Sequence, residues 1–297
     1  MKLLLFRFLP AFTLLLFALT PGCGPNPPST GRQPALGPSV SPTEPISPPT
    51  QNGSVAPEDR SLTADEYIRL GLPADDRPWS SPDMLKAFQV LTGVSKKDAR
   101  QLPRHASSNS GKLFARLIAD DNLDFCRNPT LPLSTRLAAG VEYMGAFNSI
   151  TKLYFAAFLE KKVDGADVLE LSAATFRVVT VLGALVDEFL PTIPKDDPSY
   201  ATRMAGLQKM KQGYAISCNG ALITLTERGA YRTTDRIRFA ESICNSFPAI
   251  VSRLLPGSRA EIVLKLDEMN ADPQLKELQP ALGKLRNAVK KAVDDVK

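Results

Sequence analysis

The sequence predicts an all-α protein: an antiparallel helical bundle of long helices with a short-helix N-terminal region, behind a Pro-rich disordered tether. From residue 58 onward the apolar residues recur at helical spacing, and no stretch alternates apolar and polar residues long enough for a convincing strand. N-cap residues and prolines mark helix starts and stops along the same part of the chain. We therefore expect an all-helical domain at 58–297, which could divide into short helices at 58–132 and a bundle at 133–297.

Three short helices are predicted in the first part of this domain. Thr63 and Glu66 have the spacing of a capping box, which starts the first helix. Ser81 is the predicted N-cap of a second helix that runs to about Gly93. The third covers about 110–119 and carries apolar side chains at helical spacing.

Two long helices are predicted next, over 134–162 and 165–190. Aromatic and aliphatic side chains form one stripe of the first helix, namely Tyr143, Phe147, Ile150, Tyr154 and Phe158. The second is apolar on most sides, which is typical of a central helix that several neighbours contact. Arg177 interrupts the second helix and disfavours its insertion into a membrane.

Two further helices form a predicted hairpin, over 199–228 and from Thr234 onward, and Pro248 bends or breaks its second arm. A seven-residue apolar rhythm holds on both arms. It places Cys218 on one seam and Cys244 on the facing seam. Two more helices, over 258–270 and 272–296, complete the domain.

The cysteines of the hairpin allow two interpretations. Cys218 and Cys244 lie about thirteen residues before and after the predicted turn, so both sit at the same height, as a disulfide requires. Disulfides persist in the oxidising surroundings of an exported chain. The alternative is a pair of buried thiols that act as small hydrophobic side chains. Cys126 has no His nearby in the sequence and nothing that would activate it as a nucleophile.

Residues 1–22 have the pattern of a signal peptide. Lys2 and Arg7 precede an apolar run from Phe8 to Leu19. This run would make about 18 Å of helix, well short of a hydrocarbon core of roughly 30 Å. A permanent transmembrane helix is therefore the weaker interpretation.

Cys23 directly follows the small residue Gly22, and this arrangement resembles the bacterial lipoprotein signal. The resemblance implies that the chain is cut before Cys23, that its thiol is acylated, and that the lipid anchors the protein to a membrane. Gly24 after the cysteine resembles signals that permit transfer to an outer membrane, if the host has one. The alternative is an ordinary secretory signal followed by an incidental cysteine.

Residues 23–57 form the predicted lipid-anchored linker. Ten Pro, four Gly and five Ser occur between residues 24 and 57, where Arg32 and Glu44 are the only charged residues. A segment of this composition cannot bury a core. At roughly 3.1 Å per residue it could hold the domain up to about 100 Å from the bilayer.

Composition narrows the chemistry that the chain can perform. His105 is the only histidine, so a metal site built on two histidines cannot form within one chain. The net charge of +5 is mild and the basic residues do not cluster with aromatics, so we expect no nucleic-acid partner. We expect no cofactor and no metal, and we assign no catalytic residue.

Several polar side chains are embedded in the apolar helices. Buried polar groups cost free energy unless they are paired, so such a set indicates either an internal network or a cavity for a ligand. The set consists of Asn148, Thr151, Ser172, Thr175 and Asn219, with Glu142 and Arg177 nearby in the pattern. The candidate ligand cavity combines part of the aromatic stripe with polar neighbours, namely Tyr143, Phe147, Asn148, Thr151, Tyr154 and Arg177.

The sequence therefore predicts a lipid-anchored cell-envelope protein whose non-catalytic domain binds a partner protein or an envelope component. Two alternatives stay open: a carrier of an apolar ligand between helices, and an envelope enzyme that uses carboxylate, Lys, Ser or Tyr chemistry. A cavity of several hundred Å³ lined by the aromatic stripe would favour the carrier. Convergent acids with raised pKa values in a cleft would favour the enzyme.

Overall fold

The computed structural model describes residues 58–296, and this part of the chain is all-α, as predicted. Helices there connect through turns and 3-10 segments, and no β-strand forms between residues 58 and 296. The predicted signal peptide, the predicted lipidation site at Cys23 and the linker up to residue 57 lie outside the described residues.

We number the helices in chain order. The N-terminal region contains α1 (Ala64–Arg69), α2 (Ser81–Asp98), α3 (Gly111–Leu117) and α4 (Asp124–Arg127). The bundle contains α5 (Leu133–Leu159), α6 (Gly165–Phe189), α7 (Tyr200–Thr226), α8 (Thr233–Ser242), α9 (Ser246–Val251), α10 (Pro256–Ala271) and α11 (Gln279–Asp294). Short 3-10 segments lie at Ala99–Gln101, Asp120–Leu123, Leu190–Thr192 and Pro273–Leu278.

Capping boxes start the first two helices. In α1 the Thr63 hydroxyl accepts the N–H of Glu66, whose carboxylate accepts the N–H of Thr63, as predicted. In α2 the N-cap is Ser80 and not the predicted Ser81, because it is Ser80 that exchanges these bonds with Asp83 three positions inside the helix.

The predicted end of α2 at Gly93 is also wrong, since the helix continues to Asp98. Val94 is buried and extends the apolar face of α2 beyond the glycine. A single glycine costs a helix only about 1 kcal/mol relative to alanine, which burial of a following valine offsets.

Helix α6 is the centre of the molecule, as its apolar composition predicts. It packs against α5 on one side and against α8 and α9 on another, while α2 lies along α5 and α11 packs on α8, α9 and α10. Buried side chains from Tyr67 to Val289 belong to one contiguous core. The N-terminal region and the bundle therefore share their hydrophobic core.

The second arm of the predicted hairpin is two helices and not one. α8 ends at Ser242 and α9 begins at Ser246, so Pro248 lies in the first turn of α9. Proline has no N–H, and an unbroken helix would need one at this position for the carbonyl of Cys244. The chain therefore turns just before the proline, and α7 packs on both pieces.

The segment Gly165–Thr192, which contains α6, is the one candidate membrane span among the described residues, with a mean hydropathy of 1.6. Within the protein, 67% of its most apolar window is buried. The core helix of a globular protein passes the same test of length and composition. The hydropathy of this segment is thus explained by the central place of α6.

Helix α5 lies close against α6 at Gly140. A Cβ on Gly140 would overlap Cδ2 of Leu182 and would lie 3.1 Å from Sγ of Cys126. Only a residue without a side chain allows α4, α5 and α6 to meet at this distance. The neighbours are buried, with Leu182 exposed by 2% and Cys126 by 1%, so they have little room to move.

We predict that Gly140→Ala lowers the free energy of unfolding by about 1–2 kcal/mol, because overpacking a core costs about 1–3 kcal/mol and exceeds the helix propensity gained. The matched control is Gly93→Ala in α2, where a Cβ would meet nothing within 4 Å. That variant should gain roughly 0.5–1 kcal/mol from helix propensity alone. Chemical denaturation of both variants checks the prediction, and equal effects at the two glycines would contradict it.

Candidate functional site

A pocket of about 120 Å³ lies between α5, α6 and α7, with Tyr231 and Phe239 completing its wall. Helix α7 packs mainly on α8, α9 and α10, which leaves a space beside it along α5 and α6. The pocket is partly open to solvent. It is therefore a pre-formed site that a ligand could enter without separating the helices.

The pocket has an unusual number of polar side chains for a space between core helices. Besides Tyr231, six of its residues carry a hydroxyl or an amide, namely Asn148, Thr151, Ser172, Thr175, Ser217 and Thr224. Asn148, Thr175 and Ser217 are each exposed by 8% or less. Since buried polar groups are normally paired, the partners of these six decide what the pocket can bind.

Four of the hydroxyls donate their hydrogen to the carbonyl four residues earlier in their own helix. The bonds run from Thr151 to Phe147 at 3.1 Å, from Ser172 to Val168 at 2.7 Å, from Thr175 to Leu171 at 2.9 Å and from Ser217 to Gly213 at 2.9 Å. A hydroxyl has one hydrogen and two acceptor lone pairs. These four groups can therefore still accept hydrogen bonds in the pocket but have no hydrogen left to donate.

Asn148 differs from them because its side-chain amide has no hydrogen-bond partner among the described residues. The residue is only 6% exposed and lines the pocket. Its amide atoms are nevertheless not among the fully buried atoms that lack a partner, so they face the open pocket, where water or a ligand can pair them. The Thr224 hydroxyl, which is half-buried, also has no partner in the described part of the chain.

The rest of the wall is apolar and uncharged. Phe155, Phe176 and Phe239 contribute rings, and the ring of Tyr231 stacks on Phe158 at a centroid distance of 5.2 Å. Among the described residues that line the pocket, Tyr231 is the only one with an ionisable side chain. Burial, with a smaller contribution from Glu227, raises the pKa of Tyr231 well above its ordinary value, so it stays neutral.

Part of the predicted cavity lies elsewhere. Tyr143 stacks on Phe147 at 6.1 Å, the Tyr154 hydroxyl donates to the carbonyl of Pro103 at 2.8 Å, and Arg177 donates to that of Ile118 at 2.7 Å. The four predicted cavity residues, Tyr143, Phe147, Tyr154 and Arg177, do not line the pocket. Tyr143 and Tyr154 instead contact the N-terminal region, at Phe125 and Phe114 respectively.

The polar part of the prediction lies in the pocket, where Asn148 and Thr151 come together with Ser172 and Thr175. Asn219 does not belong to it, because its amide accepts a bond from Nζ of Lys265 at 2.6 Å on the side of α10. Sequence reasoning missed the residues from α7 and α8. The run of small and polar residues Ser217, Gly220, Ala221 and Thr224, at helical spacing, is the signal that indicates them.

The predicted disulfide between Cys218 and Cys244 is not formed, and both residues are free thiols. Cys244 lies in the break between α8 and α9, where Lys284 of α11 and Glu241 are its charged neighbours. The possible disulfide rested on the mirrored positions of the two cysteines about the turn, whereas Cys244 lies beyond the last residue of α8, Ser242. Of the two interpretations, the structure has the free thiols, with Cys218 buried and Cys244 half-buried. Burial raises the pKa of both, and that of Cys126 to about 12.

Among the described residues, Asp167 at the start of α6 is the carboxylic acid whose pKa is raised. Burial raises the pKa of Asp167 to about 6, against the opposing effect of its hydrogen bonds and of Arg104. Its carboxylate accepts the backbone N–H of His105 at 2.7 Å and that of Asp164 at 3.2 Å. Because the ring of His105 does not take part, the contact joins the N-terminal region to α6 and does not form an Asp–His pair.

A second, wider groove of about 580 Å³ lies between α1 and α2. Its polar side chains, such as Arg69 and Lys97, are exposed to solvent. The carboxylate of Glu66 already accepts the backbone N–H of Thr63 in the capping box of α1. No group of three or more His, Cys, Asp or Glu within residues 58–296 could hold a metal ion. The pocket with Asn148 is therefore the candidate site.

Comparison with known proteins identifies no relative. No protein-family model matches the sequence, and no curated protein or solved structure matches it significantly. The function must therefore be argued from the site itself.

We predict that Asn148→Leu raises the free energy of unfolding by up to about 1 kcal/mol, because it replaces an amide that has no protein partner with an apolar side chain of similar size. The matched control is Asn219→Leu, where the amide has partners in Lys265 and Ala215 and its loss should be neutral or destabilising. Chemical denaturation measures both. A loss of stability at Asn148 would show that its amide has a structural role and would remove it from the candidate site.

Proposed function

We propose that the chain is a lipid-anchored protein of the bacterial cell envelope, and that its helical domain is a non-catalytic binding module. The pocket between α5, α6 and α7 is its binding site. The observation that carries the proposal is Asn148, a buried amide that lines a pocket and has no partner in the described part of the chain. An amide that only water or a ligand can pair is typical of a binding pocket, where a few polar groups orient the ligand.

The anchoring part of the proposal is supported by the N-terminal sequence alone. The short apolar run, Cys23 and the Pro-rich segment that follows are in the order that a lipid anchor and a tether require. Two or more acyl chains would hold the protein stably at a membrane. The tether would then let the domain reach partners in or near the envelope.

Binding is favoured over catalysis by the chemistry of the pocket. Its wall offers an amide, hydroxyls and phenylalanine rings, and Tyr231 stays neutral. General acid–base catalysis needs a group whose pKa lies near the working pH, and nucleophilic catalysis needs a base beside the nucleophile. Among the described residues that line the pocket, none meets either condition.

The pocket is too small to enclose a whole drug-sized ligand, as a carrier protein would. Sites for drug-sized molecules measure about 300–1,000 Å³, whereas this pocket measures about 120 Å³. It can hold one small group of a larger partner. The exposed residues Ile216 and Ile223 of α7 flank Gly220 at its edge and offer apolar surface to the rest of that partner.

We expect Cys23→Ser to abolish acylation and release the protein from membranes, because the thiol is the acceptor that the lipid requires. Partitioning of the cell lysate between detergent and aqueous phases measures the effect. The control is Cys244→Ser, a half-buried thiol of the domain, which should leave partitioning unchanged. Retention of the Cys23 variant in the detergent phase would contradict the anchor.

The binding site is tested by photo-crosslinking in the intact envelope. A photoreactive residue at Ile223, 37% exposed beside the pocket, should give a discrete adduct that Asn148→Leu abolishes. The same residue at Leu264, 58% exposed on the outer side of α10, should not give that adduct. An identical adduct from both positions, or no adduct at Ile223, would refute the binding site whatever the result for Cys23.

A further inference from the structure

We propose that the pocket takes one uncharged ring-sized group that carries a single O–H or N–H donor, as in a phenol. This inference rests on the proposed function, since it names the chemistry that the binding site selects. Three features of the pocket support it: its volume, the direction of its hydrogen bonds and the lack of charge on its wall.

The volume fits a six-membered ring. An engineered apolar cavity of about 150 Å³ binds benzene, and this pocket measures about 120 Å³ and is partly open. Phe155, Phe176 and Phe239 supply aromatic faces and edges for contact with a ring. The same volume would otherwise hold about four waters at roughly 30 Å³ each.

The direction of the hydrogen bonds favours a donor on the ligand, because acceptors on the wall outnumber its free donors, which are the hydroxyls of Thr224 and Tyr231 and the N–H₂ of Asn148. The hydroxyls of Thr151, Ser172, Thr175 and Ser217 already donate to their own helices, so they can only accept. Asn148 adds a carbonyl oxygen that accepts and an N–H₂ that donates. A hydroxyl on the ligand can thus donate to one of several acceptors and accept from Asn148 in return.

The uncharged wall excludes an ionised ligand. Among the described residues, none that lines the pocket carries a charge at neutral pH. A carboxylate that entered the pocket would lose its hydration without gaining an ion pair, and four of the hydroxyls that it meets can only accept. A neutral group of the same size does not suffer this penalty.

Two sources could supply this chemistry, namely a free phenolic molecule and the side chain of a tyrosine on a partner. They differ in what lies outside the pocket, because a tyrosine enters attached to its peptide. Phenol and N-acetyl-tyrosinamide are the two probes that separate them. Tighter binding of the tyrosine probe would indicate a peptide that also contacts the rim near Ile223, and tighter binding of phenol would indicate the free molecule.

The test is a titration of the purified full chain, followed by the methyl resonances of Val168 and Leu169, which line the pocket. Phenol, toluene and benzoate have similar size and differ in hydrogen bonding and charge. Phenol should bind about tenfold more tightly than toluene, because toluene leaves the polar wall unpaired. Benzoate should not shift these resonances at the same concentrations.

Two variants of pocket residues and one control variant outside the pocket complete the test. Thr175→Val removes a pocket acceptor and should reduce the preference for phenol over toluene, as should Asn148→Leu. Thr180→Val is the matched control, since Thr180 lies on the same helix and donates to the carbonyl four residues earlier but does not line the pocket. It should leave the preference unchanged.

Three results would overturn the inference: equal binding of phenol and toluene, binding of benzoate as tight as that of phenol, or no shift with any probe. The last would identify the pocket as a site of ordered water. None of these results depends on the crosslinking at Ile223, so the chemistry of the ligand can fail while the binding site stands.

Discussion

The contact between α5 and α6 at Gly140 is the constraint on which the rest of the structure depends. Because Gly140 has no side chain, Leu182 and Cys126 can close over it, and α6 is held against α5 near one end of their shared length. α2 then covers one face of α5, and α8 and α9 cover another part of α6. Farther along the same pair, Asn148 and Thr175 lie where α7 does not close the space between them. The tight contact and the pocket are thus two parts of one interface.

The pocket shows a conflict between packing and polarity that an ordinary core avoids. Apolar side chains at the same positions would let α7 close on α5 and α6 with no unpaired group. Instead, hydroxyls bonded to their own helices keep the helices intact while they present lone pairs sideways. The pairing is left open at Asn148, where the described residues offer no partner and the amide faces the pocket. If every polar group of the pocket were paired within the protein, none would be free to form a hydrogen bond with a ligand.

The sequence was sufficient to predict the helices and the existence of buried polar groups, because both depend on spacing within one element. Thr63 and Glu66, or Asn148 and Thr151, are close in the chain and share one helix face. The sequence was insufficient wherever the answer depended on which helix covers which face. The stripe with Tyr143 and Tyr154 has the same period whether it faces a cavity or the N-terminal region. The sequence indicated that Pro248 interrupts the helix. Whether the chain bends or turns there is decided by packing on α7 and α11, and this also sets the position of Cys244.

If the chain is exported as we propose, helix α6 must cross the membrane without inserting in it and must then fill the core of the folded domain. In the folded domain its apolar composition fills the core, but an unfolded chain presents the segment Gly165–Thr192 as a stretch of membrane-spanning length. Such a segment can leave a translocation channel sideways into the bilayer and halt export. Arg177 lies near its middle, where a charged residue disfavours insertion by about 2.5–3.5 kcal/mol. In the folded state the same guanidinium donates to the carbonyl of Ile118 at 2.7 Å and ties α6 to the N-terminal region. Arg177 would thus keep this helix from inserting in the membrane during export. In the folded domain it would then bind the N-terminal region.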